Sequence, residues 1–181
     1  MFIKKEEILA QLEGYSTSYL EEQAFLSQTV SFVKNTALPC SRNTLEGHLT
    51  ASAWILNSDK SSALLIHHKK LDRWFQPGGH IEDHDTSLLS ASMREAKEEC
   101  GIQDPKVWSP EIFDIDVHTI PKRKEVPEHL HYDIRFCFIA TNNEYKADLT
   151  EVKGIKWVTL SECILQADKM GSVSRMALKI Q

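Results

Sequence analysis

The sequence predicts an α/β (α+β) sandwich, a mixed β-sheet packed between helices, with an N-terminal helical extension. Three observations lead there. Short β-branched or apolar runs begin after Gly47, one strongly patterned helix interrupts them, and another helical stretch closes the chain. A length of 181 residues suits one domain with an appendage. The division falls at residues 1–46 for the extension and 47–181 for the main domain.

From Lys4 to about Asn35, Ile8, Leu9 and Leu12 and then Leu26, Val30 and Val33 recur at helix-face spacing. Gly14 and Ser16-Thr17-Ser18 break this stretch into two helices. Thr36 to Gly47 reads as a linker. Leu49 to Leu56 and Ala63 to His67 then form a hairpin about the turn-rich Asn57-Ser58-Asp59-Lys60. Trp74-Phe75 runs into Pro77-Gly78-Gly79. Thr86 to Cys100 reads as a helix, with Asp85 or Thr86 as N-cap and Gly101 as the left-handed C-terminal residue. Further strands are expected at Ile112 to Ile120, Tyr132 to Ala140 and Ile155 to Thr159, before a closing helix within Ser161 to Ile180.

Composition excludes several classes. An apolar fraction of 41% is ordinary for a globular chain and excludes disorder. A net charge of −5 argues against electrostatic nucleic-acid binding. Cys40, Cys100, Cys137 and Cys163 form no C-x-x-C pair, so free thiols are expected rather than disulfides or a thiolate metal site. The first residues turn acidic where a signal peptide needs an apolar run, and no stretch reaches about 18 apolar residues. The expectation is a soluble, cytoplasmic protein with neither nucleic acid nor membrane as partner.

The chemistry concentrates between Gly78 and Ile102. At about 100° per residue, Glu98 and Glu99 fall about −60° and +40° from Glu95, so three carboxylates share one helix face. Leu89, Met93, Ala96 and Cys100 form a separate apolar stripe that pins the helix to the sheet. Clustered glutamates often mark only a solvated face. The Gly pair upstream changes that reading, because it lets backbone carbonyls approach whatever the carboxylates hold. Hard divalent cations take such oxygen ligands together with substrate phosphate.

The run Gly79, five residues, Asp85, eight residues, then Arg94-Glu95-Ala96-x-Glu98-Glu99-x-Gly101-Ile102 resembles the signature of the Nudix hydrolases, G-x5-E-x7-R-E-U-x-E-E-x-G-U. It departs in three places: Asp85 replaces the first Glu, one residue is inserted, and Ala96 fills an aliphatic position. Trp74-x-x-Pro77-Gly78-Gly79 is similar to the family's entry strand. The resemblance implies that Glu95, Glu98 and Glu99, with the Gly79 carbonyl, bind Mg²⁺ or Mn²⁺. It also implies that Arg94, counted with Glu95 and Glu98 in the catalytic set, orients a helix carboxylate. The implied reaction is attack of water on a diphosphate joining a nucleoside to another moiety X. Glu95 or Glu98 is the expected base, with Glu125, Glu128 and Glu151 as loop alternatives. Two other readings share the fold: a non-catalytic metabolite-sensing module, and an isomerase of isoprenoid diphosphates.

Glu82, matching a position often acidic in the family, is expected near substrate. His129, His131 and Asp133 alternate on one strand face and with His118 offer a transition-metal constellation. Strand-surface histidines are the plainer reading, with His131 or Asp133 touching the non-phosphate part of a substrate. His67-His68-Lys69-Lys70 and Lys122-Arg123-Lys124 read first as solvated loops, and His80 and His84 as surface residues. Trp74, Trp108 and Trp157 could stack a base, though each reads more simply as packing, and Trp54 reads as structural. The apolar stripes of the first helices fit either a homodimer interface or packing on their own domain.

Overall fold

The computed structural model describes residues 3–69, 72–123, 125–147, 150, 152–165 and 171–181. Two helices come first, α1 (Lys5–Gly14) and α2 (Leu20–Asn35), broken where Gly14 and the serine cluster predict. Strands β1 (Gly47–Leu56) and β2 (Ser62–His68) form the expected hairpin, with Lys60 taking the positive φ that its turn requires. β3 (Arg73–Phe75) and β4 (Gly78–His80) flank Gln76 and Pro77. Helix α3 (Leu88–Cys100) is followed by β5 (Lys106–Val107), β6 (Asp114–Ile120), β7 (His129–Ile139) and β8 (Val152–Thr159). The C-terminal region holds, among the described residues, α4 (Leu160–Leu165) and α5 (Ser172–Leu178), the latter within the stretch expected to close the chain.

The eight described strands make one mixed sheet. Its centre is a parallel pairing of β1 with β7, from Gly47 opposite Leu130 to Leu56 opposite Ile139. β2 and β4 share the other edge of β1, while β5 and β6 share the other edge of β7. Burial on both faces explains why β1 reads as a continuous apolar run at its C-terminal end. Leu49, Ala51, Ala53 and Ile55 pack in one core with Leu88, Ala91, Ala96 and Cys100 of α3. Trp54 and Leu56 face the opposite way and pack with Val173, Met176 and Ala177 of α5. All four cysteines are free and buried, and burial pushes the Cys40 and Cys163 thiols up to about 11.

The N-terminal helices are part of this packing. Ile8, Leu12 and Val33 join the α3-side core, and Phe32 stacks on Tyr132 of β7 with ring centroids 4.1 Å apart. Their apolar stripes therefore cover their own sheet. No helix among the described residues is long and apolar enough to cross a membrane.

On the α5 side the middle of the sheet is ionic. Fully buried Asp114 accepts from Arg135 Nη1 at 3.0 Å, from Arg175 Nε and Nη2 at 2.9 and 2.8 Å, and from Lys179 Nζ at 2.7 Å. Lys179 also donates to buried Glu22 of α2 at 2.6 Å, so one network joins both ends of the chain to the sheet. Burial alone would raise the Asp114 carboxyl; the Arg175 hydrogen bonds and the Arg135 and Lys179 charges override it and hold it below the usual carboxylate range. Asp116 is held low in the same way by Arg135 and His118, against burial.

Removing Asp114 leaves buried cations without their partner, so Asp114→Ala should cost about 3–5 kcal/mol in urea unfolding. Because Asp114 and Asp116 titrate lower in the folded state, their stabilisation is present above the unfolded value of about 3.9 and disappears as pH falls through the folded values. Wild-type melts from pH 7 downward should therefore show stability dropping once pH passes below about 4.

Candidate active site

Helix α3 starts at Leu88, two residues later than the sequence suggests. Ser87 is the N-cap, its side chain accepting from Ser90 N–H while Ser90 Oγ accepts from Ser87 N–H. Asp85 does not cap the helix because its carboxylate is already engaged. It accepts from Arg94 Nε at 3.1 Å, from Arg94 Nη2 at 2.9 Å and from the Glu82 amide at 2.8 Å. Those bonds hold Asp85 below the usual carboxylate range against the opposing effect of burial. Gly101 ends the helix with φ 61°, as its position predicts.

Arg94 is the centre of the arrangement. Besides its fork on Asp85, Nη1 donates to Glu95 Oε1 at 2.9 Å and to Glu98 Oε2 at 2.8 Å, and Nη2 donates to the His80 carbonyl at 2.8 Å. A guanidinium has five N–H donors, and all five are used. The hydrogen bonds to Asp85, with those to Glu95 and Glu98, raise the Arg94 pKa further against burial, so it stays cationic.

The acidic face divides into two layers. Glu95 and Glu99, one turn apart, are 9% and 6% exposed and turn toward β4, whereas the Glu98 side chain is 56% exposed. Glu99 Oε2 accepts from Gly78 N–H at 2.9 Å. A Cβ placed on Gly79 would come within 2.7 Å of Glu95 Oε1, so a glycine is needed for that carboxylate to lie against the strand. The structure thus brings Gly79, Glu95, Glu98, Glu99 and Arg94 together.

The three residues expected near substrate are placed differently. Glu82 lies at the rim, its carboxylate paired with Arg42. Asp133 is 2% exposed and accepts from Thr50 Oγ1 at 3.0 Å, Ser52 Oγ at 2.7 Å, Gln76 Nε2 at 3.2 Å and Arg135 Nε at 2.7 Å. With four protein donors on two oxygens it braces β1 against β7 and does not present a substrate contact. His131 sits on the same strand face among other imidazoles. Of the loop alternatives for a base, Glu125 and Glu128 are exposed between β6 and β7, and Glu151 lies outside the described residues, as do Lys70 and Lys124 of the basic runs. Trp54 is fully buried; Trp74 stacks on His67, Trp157 donates to the Asn143 carbonyl, and Trp108 is exposed.

Sequence reasoning missed the part played by Asp85. The shorter acid and the inserted residue obscure the pairing with Arg94, although an acidic residue just before the helix was the available signal.

The match to known proteins follows the same residues. A family model described as NUDIX domain matches residues 47–177. The chain belongs to the NUDIX family. The signature helix is thus the Nudix helix of the Nudix hydrolase fold. A NUDIX-family hydrolase from Clostridium perfringens is similar in structure, with 24% identity and a TM-score of 0.53, over 76% of this chain and 100% of that one. The MutT protein of Methanosarcina mazei Go1 gives 20% identity and a TM-score of 0.54, over 76% and 94%. The dihydroneopterin triphosphate pyrophosphohydrolase of E. coli gives 16% identity and a TM-score of 0.51, over 72% and 94%. At these identities the likeness is one of fold. A search of curated proteins finds no significant match.

Three substitutions separate arrangement from stability. Gly79→Ala meets only the flexible end of Glu95, so the fold should persist in thermal melts while turnover falls about 10²-fold from the displaced carboxylate. Gly78→Ala would instead bring a Cβ within 2.7 Å of the Ser52 Cα and should unfold at markedly lower temperature. Arg94→Lys keeps the charge but not the fork, and should lower activity or divalent-ion affinity about 10–100-fold in steady-state and titration assays.

Proposed function

We propose that this Nudix chain is a Mg²⁺- or Mn²⁺-dependent hydrolase that uses water to cleave the diphosphate linkage of a nucleoside diphosphate joined to another moiety. The observation that carries the reading is a convergent set of carboxylate oxygens. Arg94 orients Asp85, Glu95 and Glu98, the Gly78 N–H orients Glu99, and together they line a strand stripped of side chains at Gly79. All of the helix donors there are carboxylate oxygens, the donor set that hard divalent ions take, so the residues fit the ion that the family implies. Glu95, Glu98, Glu99 and the Gly79 carbonyl would hold it.

When bound, such an ion offsets charge on the diphosphate and acidifies water. The chain supplies the rest. Arg94 fixes the directions of Glu95 and Glu98 so that their oxygens need no reorganisation during the reaction. Glu98 gives one oxygen to Arg94 and is the solvent-facing member of the set, which favours it as acceptor of the proton from the attacking water. Glu82, tethered by Arg42, remains the proposed contact for the substrate beyond its phosphates, whereas His131 lies on the opposite face of the sheet.

Purified protein supplied with Mg²⁺ or Mn²⁺ and a panel of nucleoside triphosphates, dinucleoside polyphosphates and nucleotide sugars should release phosphate-bearing products from at least one class, and a chelator should stop release. Glu98→Gln should lower turnover about 10²–10⁴-fold with an unchanged circular dichroism spectrum. Binding without turnover across the panel would favour a sensing module; a product with its diphosphate intact would favour an isomerase.

A further inference from the structure

Strand alternation puts a second constellation on the face of β4 opposite the carboxylates. Gly79 faces Glu95, and the next residue, His80, therefore points the other way, to the side where Gly78 meets Ser52. On that side four neighbouring strands deliver imidazoles to one end of the sheet. His48 of β1 is in register with His131 of β7, and His131 with His118 of β6; His80 of β4 is opposite Thr50, two residues from His48. His129 precedes His131 by two residues and shares its face. Ring centroids lie 4.7 Å apart for His48 and His131, 5.0 Å for His48 and His80, and 5.3 Å for His80 and His131. His129 stands 5.1 Å from His48 and 5.2 Å from His131.

Packing alone gives no account of this group. His48 is 3% exposed, and neither of its ring nitrogens has a hydrogen-bond partner; buried Nε2 of His131 has none either. An unsatisfied buried polar group costs about 1–3 kcal/mol, so several gathered at one place are the donor set that a ligand of imidazole nitrogen would satisfy. One ligand atom from each of His48, His80 and His131 lies within 4.8 Å of the others. Nitrogens around a tetrahedral Zn²⁺, at about 2.0–2.1 Å from the metal, stand roughly 3.3 Å apart, a gap that side-chain rotation closes.

We infer that His48, His80 and His131 form a binding site for a divalent transition-metal ion of the zinc class, separate from the carboxylate site across β4. The neighbouring histidines are prepared in the manner of ligands or their supports. His129 Nδ1 lies 2.9 Å from the Pro127 carbonyl, which can only accept, so the proton is on Nδ1 and the lone pair on Nε2. His118 Nδ1 is held in the same sense by Asp116 at 3.2 Å. Imidazole donors select Zn²⁺, Ni²⁺ or Cu²⁺ over Mg²⁺, so the two faces would sort ions by hardness.

The test titrates metal-free protein with Zn²⁺ by calorimetry in saturating Mg²⁺, which occupies the carboxylates, and follows thermal melts alongside. One Zn²⁺ should bind per chain and raise the melting temperature. His80→Gln and His131→Gln should each weaken binding by roughly tenfold or more and abolish the rise, while a Glu95→Gln/Glu98→Gln protein should bind Zn²⁺ as wild type does. Should either histidine variant lose its circular dichroism signature, the other decides. Absence of saturable binding overturns the site. So does binding that disappears with the glutamates and survives loss of the histidines, because the ion would then belong to the carboxylates.

Discussion

One guanidinium, that of Arg94, holds carboxylates from Asp85 just before α3 to Glu98 in its last turn, and the geometry near β4 depends on its five directed donors. Arg94 spends its two-pronged face on Asp85 and its remaining donors on Glu95, Glu98 and the His80 carbonyl. Because the His80 carbonyl belongs to β4, the same side chain that orders the acids also fixes the helix against the strand. A lysine could supply the charge but not five directed donors. Glu99 receives its hydrogen bond from the strand backbone instead, through Gly78 N–H. The acids are thus positioned by two sets of donors, the guanidinium and the strand backbone.

The network at Asp114 shows the alternative outcome with the same residue types. There Asp114, Asp116, Asp133 and Glu22 face Arg135, Arg175 and Lys179, so opposite charges nearly balance and several carboxylate oxygens are fully occupied. Burial of such a set is tolerable only because its hydrogen bonds are complete. Its product is attachment: α2, β6, β7 and α5 are tied at one point. The two clusters differ in exposure rather than in the number of acids: Asp114 and Asp133 are enclosed, whereas the Glu98 side chain is 56% exposed.

Local elements were legible in the sequence because their determinants are local. The hairpin turn, the break between α1 and α2, the Gly101 cap and the acidic arc of α3 all follow from neighbours within a few positions. Two-residue β5 was too short to give a period, and the parallel pairing of β1 with β7 joins segments about 80 residues apart that carry no mark of one another. Asp133 misled for the same reason. Its alternation with His131 correctly placed both on one face, but Thr50, Ser52 and Gln76, which occupy its oxygens, come from elsewhere in the chain. The Asp85 to Arg94 pairing was hidden by substitution and insertion within an otherwise readable motif.

The α5-side face of β1 and β7 changes character along its length. Trp54 and Cys137 lie in the apolar core, Ser52, Thr50, Asp133 and Arg135 form the ionic middle, and His48, His131 and His129 occupy the far end. In the third zone both ring nitrogens of His48 and Nε2 of His131 have no hydrogen-bond partner among the described residues. β4 crosses the third zone with a glycine on one side and a histidine on the other, and its backbone is bonded to Glu99 and Arg94. A shift of this three-residue strand must therefore be felt by both constellations, since neither Gly79 nor His80 can move without the other. That shared strand, rather than any side chain reaching across the sheet, is the physical link between the carboxylate face and the imidazole face.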